Sequence, residues 1–157
     1  LHSRSNSGIA KGGILILVLI VVGIIIGVAW WYSTQGTSAF TVSGVSLNPS
    51  EVVVNKSALF NFTIKNNDAV EPHNVMLIFN TTSPLTFFKD GSPLPNSEGL
   101  PYFQMSLNAG QQSTYSLTVI PTSTGGALTS TYPINAEFYF NSTRFDTETV
   151  SLTVDSS

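Results

Sequence analysis

Two histidines, His2 and His73, nine carboxylates and no cysteine leave little scope for side-chain chemistry. A catalytic triad needs an imidazole beside a nucleophile and an acid, and thiolate metal centres need cysteine. Only one stretch gathers suitable types: Asp68, Glu71 and His73 fall within the Asn66–Asn74 turn. Two carboxylates and an imidazole there could hold a hard cation or simply form a solvated loop, and the loop is the plainer reading. Asp146 and Glu148 stand two apart on a strand-patterned stretch, hence on one face, and Glu137 takes an outward position. These carboxylates read as solubilising charge rather than as an acid–base pair. The residues therefore predict no catalytic group, no cofactor-binding group, no metal and no cofactor; the chain is not expected to be an enzyme.

A different chemistry is encoded in four Asn-x-Ser/Thr sequons, at Asn55, Asn61, Asn80 and Asn141, each an acceptor for N-linked glycan in an exported chain. A sequence rich in Asn, Ser and Thr produces such matches by chance, so their phase matters more than their number. Asn61 falls on the polar face of its strand pattern, and Asn141 continues the outward set Glu137, Tyr139.

The elements that must carry these residues divide sharply. Gly12 to Ala29 hold no polar side chain. Extended through Trp30, Trp31 and Tyr32, a helix rising about 1.5 Å per residue would span roughly 30 Å, the hydrocarbon thickness of a bilayer. Arg4 and Lys11 precede the run and the next basic residue is Lys56, so the positive-inside rule puts the N-terminus in the cytoplasm and exports the rest. Thr37-Ser38-Ala39 loosely resembles a signal-cleavage site, but the apolar run exceeds the usual h-region of about 7–15 residues. With Leu1 in place of an initiator Met, the chain reads as already processed ahead of that run. Gly23 and Gly27 form Gly-x-x-x-Gly, a spacing that lets helix backbones approach closely. The residues expected to pack helix against helix in a polymer are Ile14, Leu17, Ile20, Val21, Gly23, Ile24, Gly27 and Val28.

From Phe40 onward the apolar period becomes two. Phe60, Phe62 and Ile64 share one face, as do Val75, Leu77 and Phe79; Tyr115, Leu117 and Val119; Ile134, Ala136, Phe138 and Phe140; and Val150, Leu152 and Val154. Turn-forming clusters such as Asn48-Pro49-Ser50, Lys89-Asp90-Gly91, Thr124-Gly125-Gly126 and Asn141-Ser142-Thr143 separate these runs. Six to nine strands in two face-to-face antiparallel sheets are predicted, with Lys89–Pro101, bearing Pro93, Pro95 and Pro101, as a long surface loop. The expected fold class is thus an α+β architecture: a long N-terminal hydrophobic helix over residues 1–36, followed by an all-β immunoglobulin-like sandwich over 37–157.

Net charge is −3 and charged residues make up 10% of the chain, so there is no basic surface for nucleic acid. Without cysteine, the sandwich must be stable through its apolar core alone. Its abundant Ser and Thr give a surface whose charge changes little with pH, suited to an exposed protein in an acidic medium.

The order Val-x-Leu-Asn-Pro-Ser-Glu-Val (Val45 to Val52), Phe-x-Phe-x-Ile-x-Asn-Asn (Phe60 to Asn67) and Leu-Asn-Ala-Gly-Gln-Gln-Ser (Leu107 to Ser113) resembles the immunoglobulin-like domains of archaeal surface proteins. Joined to an uncleaved apolar N-terminal segment, the whole chain resembles a mature archaeal type IV pilin, most closely the crenarchaeal adhesion pilins. It departs from bacterial pilins at Ser5, where they carry glutamate, and in the thirteen mostly polar or small residues ahead of Ile14. The resemblance implies a cell-surface, extracellular filament of identical subunits, membrane-inserted before assembly by dedicated pilus machinery. The apolar segment would then lie in the filament core and the β-domain, glycosylated at some sequons, would be exposed for adhesion. The other reading of the same residues is a membrane-anchored immunoglobulin-like binding module of the cell surface.

Overall fold

A computed structural model describes residues 38–81 and 84–157. These form one compact unit beginning at Ser38. Eleven strands succeed one another: β1 (Phe40–Asn48), β2 (Glu51–Val53), β3 (Ala58–Asn66), β4 (His73–Asn80), β5 (Leu85–Lys89), β6 (Ser92–Pro93), β7 (Asn96–Ser97), β8 (Leu100–Leu107), β9 (Gln112–Pro121), β10 (Thr129–Phe140) and β11 (Thr143–Asp155). One sheet runs β1-β3-β9-β5-β6 and the other β2-β11-β10-β4-β8-β7.

The α+β expectation is corrected by this architecture. The described residues are all-β, because from Phe40 onward their apolar side chains recur every second residue, the spacing of a strand and not of a helix. No helix among the described residues is long and apolar enough to cross a membrane. The proposed helix-packing residues Ile14, Leu17, Ile20, Val21, Gly23, Ile24, Gly27 and Val28, and the boundary between residues 36 and 37, lie outside the described residues.

The sandwich is immunoglobulin-like in its arrangement. The sequence β1-β3-β9-β5 occupies the A-B-E-D positions of one sheet, and β11-β10-β4-β8 the G-F-C-C′ positions of the other. After β1 the chain passes the cis Asn48–Pro49 bond and β2 pairs parallel to β11 in the opposite sheet. One feature is rearranged: β5, in the D position, precedes β8, in the C′ position, along the chain.

Alternation accounts for the core. Phe60, Phe62 and Ile64 of β3 meet Val75, Leu77 and Phe79 of β4, Leu117 and Val119 of β9, Ile134, Ala136 and Phe138 of β10, and Leu152 and Val154 of β11, all buried. Apart from Ala136, each such side chain contributes about 1.5–3 kcal/mol relative to exposure. Aromatic rings tie the sheets together: Phe79 of one stacks on Phe87 of the other with centroids 4.0 Å apart and planes 14° apart, and Phe62 meets Phe138 edge-on at 5.4 Å. In β1 the register shifts between Ser43 and Ser46 around Gly44, whose φ of +62° suits glycine. That bulge explains why Phe40 and Val42 are followed on the core side by Val45 and Leu47.

The Lys89–Pro101 stretch differs from the long loop expected of it. Two tight hairpins fill it, β5–β6 turning at Asp90-Gly91 and β7–β8 at Glu98-Gly99, with positive φ at all four turn residues. Both turns have the doubly left-handed form that matches strand twist. Between them Leu94 is buried and donates its amide to the Phe87 carbonyl at 2.9 Å, pinning the segment to the core. Pro93 is tolerated because β6 lies at a sheet edge.

Candidate functional site

Opposite the core, the outer face of the six-stranded sheet gathers the most varied side chains. Register sets them in rows: Tyr139 of β10 opposes Met76 of β4, which opposes Gln104 of β8, and Glu137, Ile78 and Tyr102 line up in the adjacent row. In β4 every second residue faces the core, which leaves Met76 and Ile78 half-buried on this outer side. Glu137 is the hub of the second row. Its carboxylate accepts the Tyr139 hydroxyl at 2.7 Å, an Arg144 guanidinium N–H at 3.1 Å and the Asn80 amide at 3.4 Å.

This clustering shifts two acidities. The Tyr139 hydroxyl is the main cause holding the Glu137 carboxyl below the usual range; burial pushes the other way, and Asn80 and the Arg144 charge add to the lowering. The same hydrogen bond, then burial and the Glu137 charge, push the Tyr139 phenol above its ordinary value of 10.0. A carboxylate with three donors is a positioning element: it tethers the Tyr139 hydroxyl.

Beside that ring a groove of about 450 Å³ opens across β4, β8 and the β10–β11 turn, with Asn74, Met76, Gln104, Ser106, Tyr139 and Asn141 among its walls. Among the described residues, no side-chain hydrogen bond engages Asn74, Gln104, Ser106 or Asn141. The groove thus combines an aromatic and a thioether wall with amide and hydroxyl groups free to pair with a ligand.

The Asp68–Glu71–His73 turn has a structural role. Asp68 Oδ1 accepts the amides of Val70 at 2.8 Å and Glu71 at 3.1 Å, and Oδ2 pairs with His73 Nε2 at 3.1 Å. Those backbone amides, then His73, hold the Asp68 carboxyl below its ordinary 3.8. The His73 ring packs edge-on against Phe40 and Phe140. One ligand atom from each of Asp68, Glu71 and His73 lies within 4.8 Å of the others. Asn66 is the anchor beneath this turn. Fully buried at the end of β3, its amide donates to the carbonyls of Glu71 at 2.9 Å and Asn108 at 3.1 Å, and its oxygen accepts the Asp68 amide at 3.0 Å.

The four sequons are dispersed. Asn55 is exposed in the turn after β2 with φ of +65°, and Asn141 is exposed at the β10–β11 tip with φ of +48°. Asn80 ends β4 with its amide on Glu137. Asn61 is half-buried in β3, which is paired on both sides, and its amide reaches the Leu59 carbonyl at 3.4 Å. Asp146 and Glu148 are half-buried on β11, and Asp146 accepts the Thr147 amide at 2.8 Å. Sequence reasoning missed the Glu137–Tyr139–Arg144 cluster, the groove and Asn66. For Asn66 the signal was present, since it continues the inward series Phe60, Phe62, Ile64.

No protein-family model matches the chain, and no curated protein matches it. Among solved structures, the CARDB domain of the PF1109 protein from Pyrococcus furiosus, in complex with di-metal ions, is similar at 19% identity and TM-score 0.45, over 73% of this chain and 91% of that one. PapD-like domain 7 of human CEP192 is similar at 10% identity and TM-score 0.38, over 76% and 86%. The DNA glycosylase AlkC of Pseudomonas fluorescens, bound to DNA containing an abasic site analog, is similar at 13% identity and TM-score 0.47 over 75% of this chain, which spans 31% of AlkC.

Proposed function

We propose that the chain is a structural, non-enzymatic subunit of an extracellular type IV pilus-like filament on an archaeal cell surface. Copies assemble through the apolar run Gly12–Ala29 and present the β-sandwich for adhesion. The observation that carries this reading is the pairing of two features in one chain. One is an eighteen-residue run without a polar side chain; the other is a sandwich that fills both inner faces with its own residues, from Phe40 to Val154. Apolar surface of that extent must be covered by lipid or by protein. Lipid covers it before assembly and other copies cover it afterwards, with Gly23 and Gly27 permitting close backbone approach.

A second reading, a membrane-anchored binding module, is favoured by one feature, the groove beside Tyr139 with its unpaired amides. Electron microscopy and mass spectrometry of material sheared from native cells separate the two. Helical fibres containing this chain are expected; retention of the chain in membranes, with none in fibres, overturns the filament.

A further inference from the structure

We infer that Asn141 carries an N-linked glycan whose first sugars lie in the groove beside Tyr139, so that the modification is part of the folded surface. The inference rests on the chain being exported, as the proposed function requires.

Three observations converge on Asn141. It is the sequon asparagine that itself forms part of the groove wall, so a sugar on its amide nitrogen starts at the groove mouth. The Asn141-Ser142 turn is the exposed tip of the β10–β11 hairpin, and both residues have positive φ. Among the described residues, no hydrogen bond engages that side chain.

The other sequons lack this combination. Asn61 lies in a strand paired on both sides, and the Asn80 amide is directed at Glu137. Asn55 is exposed but does not border the groove.

The groove also has the chemistry a sugar needs. Tyr139, whose hydroxyl is tethered by Glu137, lines the groove with an aromatic ring suited to the C–H side of a pyranose, with Met76 next to it in the same row. Asn74, Gln104 and Ser106 supply neutral donors and acceptors for its hydroxyl and N-acetyl groups. A tethered ligand needs little intrinsic affinity, because its effective concentration at the groove is high.

Glycopeptide mass spectrometry of the chain purified from native cells, from fibres and membranes alike, tests occupancy. Glycan at Asn141 is expected. A bare Asn141 with glycan on another sequon overturns the inference and leaves export intact; four bare sequons overturn it too, while the presence of the chain in fibres is read separately.

Thermal unfolding of natively produced chains tests seating, using Thr143→Ala, which removes the sequon but keeps Asn141 at its left-handed position. Thr143→Ala and Tyr139→Ala are expected to be non-additive: once the glycan is absent, the Tyr139→Ala loss shrinks by about 3–6 °C, the shift that about 1 kcal/mol makes in a domain of this size. Additive losses overturn the seating, because the Tyr139–Glu137 bond is lost equally in both backgrounds. Capture of free sugar by the Thr143→Ala chain, with Asn141 bare in the wild type, assigns the groove to a foreign glycan and likewise overturns it.

Discussion

Replacing Asn66 with alanine tests whether one buried amide holds the β3–β4 turn. The wild-type side chain, with none of its surface exposed, satisfies the carbonyls of Glu71 and Asn108 and the amide of Asp68. A fourth contact, to the Leu107 carbonyl at 3.5 Å, is marginal. Alanine leaves the Glu71 carbonyl and the Asp68 amide without a partner, while the Asn108 carbonyl keeps the Gln111 amide at 3.0 Å. An orphaned buried polar group costs about 1–3 kcal/mol, and these sites are only partly buried, so the low end applies and the total comes to about 2 kcal/mol. Against a typical domain stability of about 5–15 kcal/mol that is a large share. It corresponds to a fall in midpoint of roughly 6–12 °C, measured by far-UV circular dichroism of the full chain in detergent.

Asn66→Asp sharpens the test. Aspartate keeps the acceptor for Asp68 but replaces two donors with a charge facing carbonyl oxygens. It is expected to be at least as damaging at neutral pH and to recover partly in acid, where the protonated carboxyl regains one donor. If both variants unfold within about 0.5 kcal/mol of wild type, the amide is not a structural cross-link and the reasoning fails.

Phe87→Ala removes the ring stacked on Phe79 and is expected to cost about 3–5 kcal/mol by chemical denaturation, while Phe88→Ala, half-buried on the same strand, costs much less. Gly91→Ala forces a side chain onto a residue at φ +80° with no atom within 4 Å of the added carbon, so its loss of about 1–2 kcal/mol is backbone strain alone. The lowered pKa values of Asp68 and Glu137 stabilise the fold above the ordinary values of 3.8 and 4.5, and that stabilisation is lost as pH falls through the still lower folded-state values. The melting midpoint is therefore expected to stay nearly level from pH 7 to about pH 5 and to drop below about pH 4, less steeply in Asp68→Asn. At the alkaline end the raised Tyr139 phenol stabilises the fold below pH 10.0, and that contribution disappears as pH rises through its folded-state value. Spectrophotometric titration should show a late-ionising component that is lost in Tyr139→Phe.

What was legible in the residues is what depends on near neighbours. Alternation places Phe60, Phe62 and Ile64 inward without reference to any other strand, and Asp90-Gly91 marks a turn whatever lies beyond it. The same alternation, carried one step further, puts Asn66 in the core; reading Asn66–Asn74 as a turn hid a buried anchor behind turn-forming composition. Proline content misled in the same way at Lys89–Pro101, where glycine-mediated hairpins and the buried Leu94 outweigh the breaks. The placement of β5 in one sheet and β8 in the other was not legible, because it rests on pairing with β9 and β4, each a non-local choice. The groove belongs to that second kind. Tyr139, Met76 and Gln104 form a row only after β10, β4 and β8 have taken their registers, and a one-residue slip in any of them would turn its side chain to the opposite face. A surface assembled from three separate registers cannot be read from a single stretch of chain, whereas the hairpin tip that presents Asn141 to it can.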